Sequence, residues 1–145
     1  VIYLDSCALV KLVLAEPETR ALWARLADHQ TELVTSELAL TEVVRVVRRS
    51  CYDDQRRLRV DEEVLRARLT TAGDLLGEID HVVVDTDTFL RAGMFADDPH
   101  LGSLDALHLV CALELGVALS AFITYDKTLV NAAIQLGLPV EQPGP

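Results

Sequence analysis

The chain is poor in aromatic side chains, with one Trp, three Tyr and three Phe in 145 residues. Its core must therefore be aliphatic, built from Leu, Val, Ile and Ala. Cysteine is also scarce. Cys7, Cys51 and Cys111 are odd in number, widely spaced and without a C-x-x-C pair, which argues against a disulfide framework and fits a reducing compartment. They are expected to behave as small apolar residues. No apolar run approaches the roughly 20 residues needed to cross a bilayer. The most apolar helical stretch, 107–115, is short and interrupted by His108 and Glu114. The opening segment is strand-like and lacks a basic region, so no signal peptide is expected and the cytoplasm is the default location.

Positive charge is in deficit: 13 Lys and Arg stand against 23 Asp and Glu, a net charge of −10. Alone, that argues against a polyanionic partner, because binding nucleic acid normally needs a basic surface. Two features temper this. Carboxylates that hold a metal count as negative in the sequence but are neutralised in a working site. The arginines are also concentrated, with Arg45, Arg48, Arg49, Arg56, Arg57, Arg59, Arg66 and Arg68 in one stretch. The plainest reading of that stretch is a solvated helical face.

What is present in quantity is hydrophobic residue, half of the chain. A folded globule follows. One domain over residues 1–145 is expected, large enough for a core without disulfides or a structural metal.

Apolar periodicity divides the chain into alternating strands and helices. VIYLD (1–5) reads as a buried strand, and Ser6 can cap a helix through Val13. Pro17 stops that helix. Residues 18–28 read as a second helix with Leu22, Trp23 and Leu26 on its inner face. ELVT (32–35) is a second strand, after which Ser36 caps a long helix carrying Leu38, Leu40, Val43, Val44, Val46 and Val47. A helix over 61–76 ends at Gly77. HVVVD (81–85) is a third buried strand and 86–95 a short helix. A loop over 96–102 precedes a helix capped by Ser103 and ended by Gly116 after Leu115. AFIT (121–124) is a fourth strand, Asp126 opens a helix to Leu136, and 139–141 form a fifth, edge strand. The tail, 142–145, is loop. Strands separated by helices imply right-handed crossovers and a parallel sheet covered on both faces, an α/β fold.

In such a sheet ligands bind outside the carboxyl ends of the strands. That rule selects Asp5, at the end of the first strand, and Asp126, just after the fourth. Asp105 lies in the first turn of its helix, and Glu42 about two turns into the helix after the second strand. Four acids from distant segments are thus expected at one edge of one sheet. Clustered carboxylates repel and raise each other's pKa, so a fold does not gather them for stability. A hard dication reverses the penalty, because magnesium takes oxygen ligands and keeps several waters. One ion, or two, can activate water and stabilise charge on a phosphodiester. Each acid also has a local explanation. Asp5 and Asp126 can cap helices, Asp105 favours a helix dipole, and Glu42 can face solvent. Four acids at strand ends in this order outrun such explanations.

The same residues resemble the PIN-domain family, specifically the VapC-type toxins of bacterial toxin–antitoxin pairs, over nearly the whole chain. YLDSCALVKL is similar to the family's opening block. SELALTEVVRVVRR is similar to its second block, LGSLDALHLVCALELG to its third, and FITYDKTLVNAAIQLGLPV to its closing block. The resemblance implies a three-layer α/β/α sandwich with a parallel sheet of four to five strands. It implies magnesium or manganese at Asp5, Glu42, Asp105 and Asp126, with support from the Ser6 and Thr124 hydroxyls. It also implies endonucleolytic cleavage of RNA by a homodimer, silenced by a small VapB-type antitoxin. Cys7 departs from the family in replacing a small hydroxyl residue.

Other residues carry open alternatives. Lys11 either approaches a substrate phosphate or is solvated. Arg45, Arg48 and Arg49 are candidate RNA contacts. His108, one turn after Asp105, is expected to be hydrogen-bonded rather than a ligand, and His29, His81 and His100 show no metal-like spacing. Trp23 is expected to pack, not to stack on bases. Two rival functions remain. Asp85-Thr86-Asp87-Thr88 resembles the nucleophile motif of haloacid-dehalogenase phosphatases, although the other parts of that signature are missing and a strand end and helix cap account for both acids. An inactive module that only binds RNA or protein is the other rival, which the retained acids oppose.

Overall fold

A computed structural model of the chain describes residues 1–27, 31–95 and 97–144. Five strands form one sheet: β1 (Ile2–Leu4), β2 (Leu33–Ser36), β3 (Asp80–Val82), β4 (Ala121–Ile123) and β5 (Val140–Glu141). Their order is β3-β2-β1-β4-β5, and every pair is parallel. The helices between them are α1 (Ser6–Val13), α2 (Thr19–Leu26), α3 (Ala39–Ser50), α4 (Glu62–Glu78), α5 (Thr86–Gly93), α6 (Ser103–Glu114) and α7 (Lys127–Gln135).

The pleat of the central strand sorts the two faces. Ile2 and Leu4 point to one side and pack with apolar residues of α1, α2, α3 and α4, including Leu9, Leu22, Val43 and Leu76. Tyr3 points to the other and packs with Phe122, Leu109 of α6 and Leu129 of α7. Tyr3 and Phe122 stack with ring centroids 5.4 Å apart. Helix α5 closes that side through Ala92 against Leu107 and Val110. This is the expected three-layer α/β/α sandwich. The core is aliphatic apart from the Tyr3–Phe122 pair.

The strand order reverses direction between β1 and β4. Chain leaves β1 for α1 on one face and leaves β4 for α7 on the other. Helices departing in opposite directions from adjacent parallel strands open a crevice at their carboxyl ends.

Several expected boundaries shift. Asp5, not Ser6, is the N-cap of α1, and its side chain accepts from the Ala8 amide. Ser36 does not cap α3; it is the buried last residue of β2, and the helix starts after Leu38 without a side-chain cap. Ser103 is likewise the first residue of α6 rather than its cap, which is Gly102. A side-chain oxygen near a helix start can serve as cap from more than one position, and burial decides. Gly77 does not stop α4, which continues to Glu78, whereas Gly116, at φ 54°, does follow the end of α6. The third strand is not buried. It is a half-exposed edge strand of three residues, and Val83 beyond it is exposed. Helix α5 stops at Gly93, short of 95. Trp23 lies half exposed on the outside of α2, because Leu22 and Leu26, four apart, already fill the inner face. Expectations for Asp28, His29, Ala96 and Pro145 fall outside the described residues. Among the described residues no helix is long and apolar enough to cross a membrane.

Candidate active site

All four acids line one open cavity of about 440 Å³ at the carboxyl edge of the sheet. Each stands at the start of a helix. Asp5 and Asp126 are the N-caps of α1 and α7, and Asp105 and Glu42 lie in the first turns of α6 and α3. Glu42 is therefore nearer its helix start than the expected two turns, because α3 begins at Ala39. The capped N-termini of α1 and α7 border the cavity, and partial positive charge gathers at such helix starts. That field attracts acids and would equally attract a phosphate.

Asp5 is 3% exposed and densely partnered. Its carboxylate accepts from the Thr124 hydroxyl at 2.6 Å and the Ala8 amide at 2.8 Å. The Cys7 sulfur lies 3.0 Å from both of its oxygens. Burial still pushes its pKa up against the lowering effect of these donors. Cys7 in turn accepts from the Tyr125 amide at 3.1 Å. Its thiol is pushed up to about 12, first by burial and then by the Asp5 charge, so it stays a neutral donor.

Glu42 is held by two side chains. Ser6 Oγ donates to Oε2 at 2.6 Å and His108 Nε2 at 2.8 Å. Burial works against its charge, but the His108 and Ser6 bonds outweigh it and the net shift is downward. His108 is buried. A carboxylate only accepts, so Nε2 carries the proton, and in the neutral ring Nδ1 accepts from Tyr3 Oη at 2.7 Å. Burial holds the Tyr3 phenol well above its ordinary value. A line of contacts therefore runs from the core of the sheet to Glu42.

Asp105 is placed differently. Among the described residues its carboxylate has no hydrogen-bond partner. Burial raises its pKa, and the charge of Asp126 adds to that. A Cβ at Gly102 would come within 3.2 Å of Asp105 Oδ2, so glycine leaves room for this carboxylate. Asp126 uses Oδ1 to accept from the Thr128 and Leu129 amides at 2.8 and 3.0 Å.

Lys11 also lines the cavity but is neither free nor solvated. Its ammonium pairs with Glu16, and with Glu18 at 2.9 Å, and sits 4.9 Å from the centre of the Tyr125 ring. Arg45, Arg48 and Arg49 are exposed along α3, outside the acid cavity. Asp85 is not at the cavity either. It caps α5 by accepting from the Thr88 amide and hydroxyl, and those bonds hold its pKa down.

Three contributors were not singled out from sequence: Tyr3, Tyr125 and Glu16. Their partners are distant in the chain or depend on helix packing, so no local pattern marks them.

The donor set suits a hard dication. It is four carboxylates, with the buried His108 already committed to Glu42 and Tyr3. The upward shifts of Asp5 and Asp105 are strain that positive charge would relieve. Among the described residues no group of three or more Asp, Glu, His or Cys side chains stands close enough together to hold a metal ion by itself. Magnesium needs no such group, since it keeps several waters and takes only one or two carboxylates directly.

Residues 2–135 match the PIN domain family. The chain is 38% identical over 144 residues to Ribonuclease VapC46 of Mycobacterium tuberculosis (strain ATCC 25618 / H37Rv), covering 98% of this chain and 97% of that protein. It is 35% identical over 147 residues to Ribonuclease VapC47 of Mycobacterium tuberculosis (strain CDC 1551 / Oshkosh), covering 99% and 97%. Its fold is similar to the crystal structure of Mycobacterium tuberculosis VapC20, a Sarcin-Ricin loop cleaving toxin, with TM-score 0.68 and 17% identity over 91% of this chain and 95% of that one. At that identity the likeness is one of fold. With family match and full-length relatives in agreement, the chain is a member of the PIN-domain family, of the VapC type.

Proposed function

We propose that this protein is an endoribonuclease that hydrolyses RNA phosphodiester bonds with magnesium or manganese held by Asp5, Glu42, Asp105 and Asp126. The observation that carries this reading is that four carboxylates, from four distant segments, line one cavity at the reversal point of the sheet. When bound, the dication supplies charge that stabilises the phosphodiester transition state and makes water a better nucleophile. The chain's own residues do the rest. Thr124 and Cys7 orient Asp5, while Ser6 and His108 orient Glu42. The helix N-termini hold the scissile phosphate. Lys11 reaches a phosphate only by leaving Glu16 or Glu18. Arg45, Arg48 and Arg49 gather RNA along α3 and offset the net negative charge.

In this reading the protein is the cytoplasmic toxin of a type II toxin–antitoxin pair. Its partners are RNA, a small VapB-type antitoxin and a second copy of itself, with a heterotetramer or larger assembly in the silenced state. One domain over residues 1–145 carries the whole site. The test is cleavage of single-stranded RNA in magnesium or manganese. Cleavage should stop in EDTA and return when the metal is restored. Cleavage that persists in chelator refutes metal dependence.

A further inference from the structure

The acid cavity has a neighbour. Glu42 and Val46 line both it and a second cavity of about 610 Å³ between α3, α6 and the segment after β3. Leu38, Val46, Val84 and Leu104 give this second cavity an apolar wall, and Glu37, Thr41 and Glu42 line the side toward the acid cavity and β3. Arg45 and Arg49 lie at its edge.

The sequence explains the mixture. Leu38, just before α3, and positions 42, 45, 46 and 49 share one face, which carries Glu42 and Val46 toward the acid cavity and ends in two arginines. Leu104 stands opposite, one residue before Asp105, and is 47% exposed. The far wall is pinned by the Val84 amide, which donates to Glu37 Oε2 at 3.0 Å. Among the described residues Arg45 and Arg49 form no ion pair, although other cations of the chain do. Two unpaired guanidinium groups beside an apolar slot, in a chain of net charge −10, complement a ligand that is anionic along one edge and flat and apolar beyond it.

A nucleotide of single-stranded RNA has that shape. Its phosphate meets arginine, and its unstacked base presents two apolar faces to aliphatic walls and a guanidinium plane. A base inside a duplex cannot, because its faces are already stacked.

We propose that this slot binds an unstacked nucleobase of single-stranded RNA next to the phosphodiester in the acid cavity, with Arg45 and Arg49 on the flanking phosphates. The proposal rests on the nuclease reading for the polymer. It adds that the substrate must offer an unpaired nucleotide beside the cleaved bond.

The test uses methyl NMR of the full chain with two probes, adenosine 5′-monophosphate and ribose 5-phosphate. The expected result is that the nucleotide moves the methyl resonances of Leu38, Val84 and Leu104, which line only the slot, while ribose 5-phosphate leaves them in place. Leu104→Ser, at an exposed position that should not disturb folding, should weaken nucleotide binding at least fivefold. It should leave ribose 5-phosphate binding unchanged. If that variant loses its native spectrum, Val46→Ala is read in the same way. Equal methyl shifts from both probes, or nucleotide shifts confined to other parts of the chain, overturn the proposal. Cleavage of RNA in manganese is measured on the same preparation. Cleavage with unmoved methyls refutes the slot and spares the nuclease. Moved methyls with no cleavage in any divalent metal keep a nucleotide slot and refute the nuclease.

Discussion

Asp5 and Glu42 are held by side chains from other elements, whereas Asp105 and Asp126 are not. Three groups converge on Asp5 and two side chains on Glu42, one of them tied through His108 to the core tyrosine. Asp105 has no donor among the described residues, and the Asp126 carboxylate is engaged only by amides of its own helix. The difference follows from position. Asp5 sits at the end of the central strand, where neighbouring strands and α1 surround it, and Glu42 faces α1 and α6 across the crevice. Asp105 and Asp126 stand at the outer starts of α6 and α7. Asp5 and Glu42 are therefore preorganised by other elements, Asp126 only by its own helix, and Asp105 is the carboxylate left to adjust to an ion and a substrate.

The largest expected effects do not separate the halves. Asp5→Asn and Asp105→Asn should each lower RNA cleavage about a hundredfold or more, the scale of losing one preorganised transition-state contact. Circular dichroism should stay native. Retained cleavage in either variant contradicts its assignment.

The next effect separates them. His108→Phe removes one of the two donors to Glu42 and takes the imidazole partner from the buried Tyr3 hydroxyl. It should cost about 1–3 kcal/mol in chemical denaturation. Manganese affinity should fall about tenfold to a hundredfold, as is usual when the support of a metal ligand is lost. Unchanged affinity in a folded variant would show that Glu42 needs no holding.

Stability without metal should move in opposite directions in the two halves. Asp5→Ala deletes a helix cap and should destabilise by about 0.5–2 kcal/mol. Asp105→Asn removes a charge that burial and Asp126 both oppose, and should raise the melting temperature by about 1–3 °C. A fall in both variants would erase the proposed contrast.

The smallest effect is in pH. Asp5 and Asp105 have folded pKa values above their unfolded ones, so the folded state binds protons more tightly. Their contribution to stability is full below the unfolded pKa and is lost as pH rises through the folded values. Metal competes with those protons. The melting shift produced by manganese should therefore shrink as pH falls through the raised values, and this is checked by thermal melts across mildly acidic pH. A shift independent of pH in that range would exclude these two carboxyls as ligands.

Much of this arrangement is legible in the sequence. Strand ends mark Asp5 and Asp126, the helical period marks α3 and α6, and the alternation of strand and helix forces a parallel sheet. Capping is less legible, because Asp5 and Ser6, or Gly102 and Ser103, are adjacent and chemically adequate. For Asp5 burial at the end of the central strand decides, whereas Gly102 and Ser103 are both exposed and no side chain caps α6. The start of α3 is hidden in the sequence because Ser36 looks like a cap but is the buried last residue of β2. The role of His108 as a bridge is not local at all, since its partners Glu42 and Tyr3 lie 66 and 105 positions away. Lys11 reads as a solvated or phosphate-binding lysine until the turn at Pro17 brings Glu16 and Glu18 back to it.

The account stands most directly on where a dication binds. Manganese titrated into the isotope-labelled, full-length protein should first broaden the amide resonances near Asp5, Glu42, Asp105 and Asp126, and Asp105→Asn should weaken that broadening. First broadening at another acidic surface, such as the Glu62–Glu63 start of α4, with the four-acid cavity untouched, would contradict it.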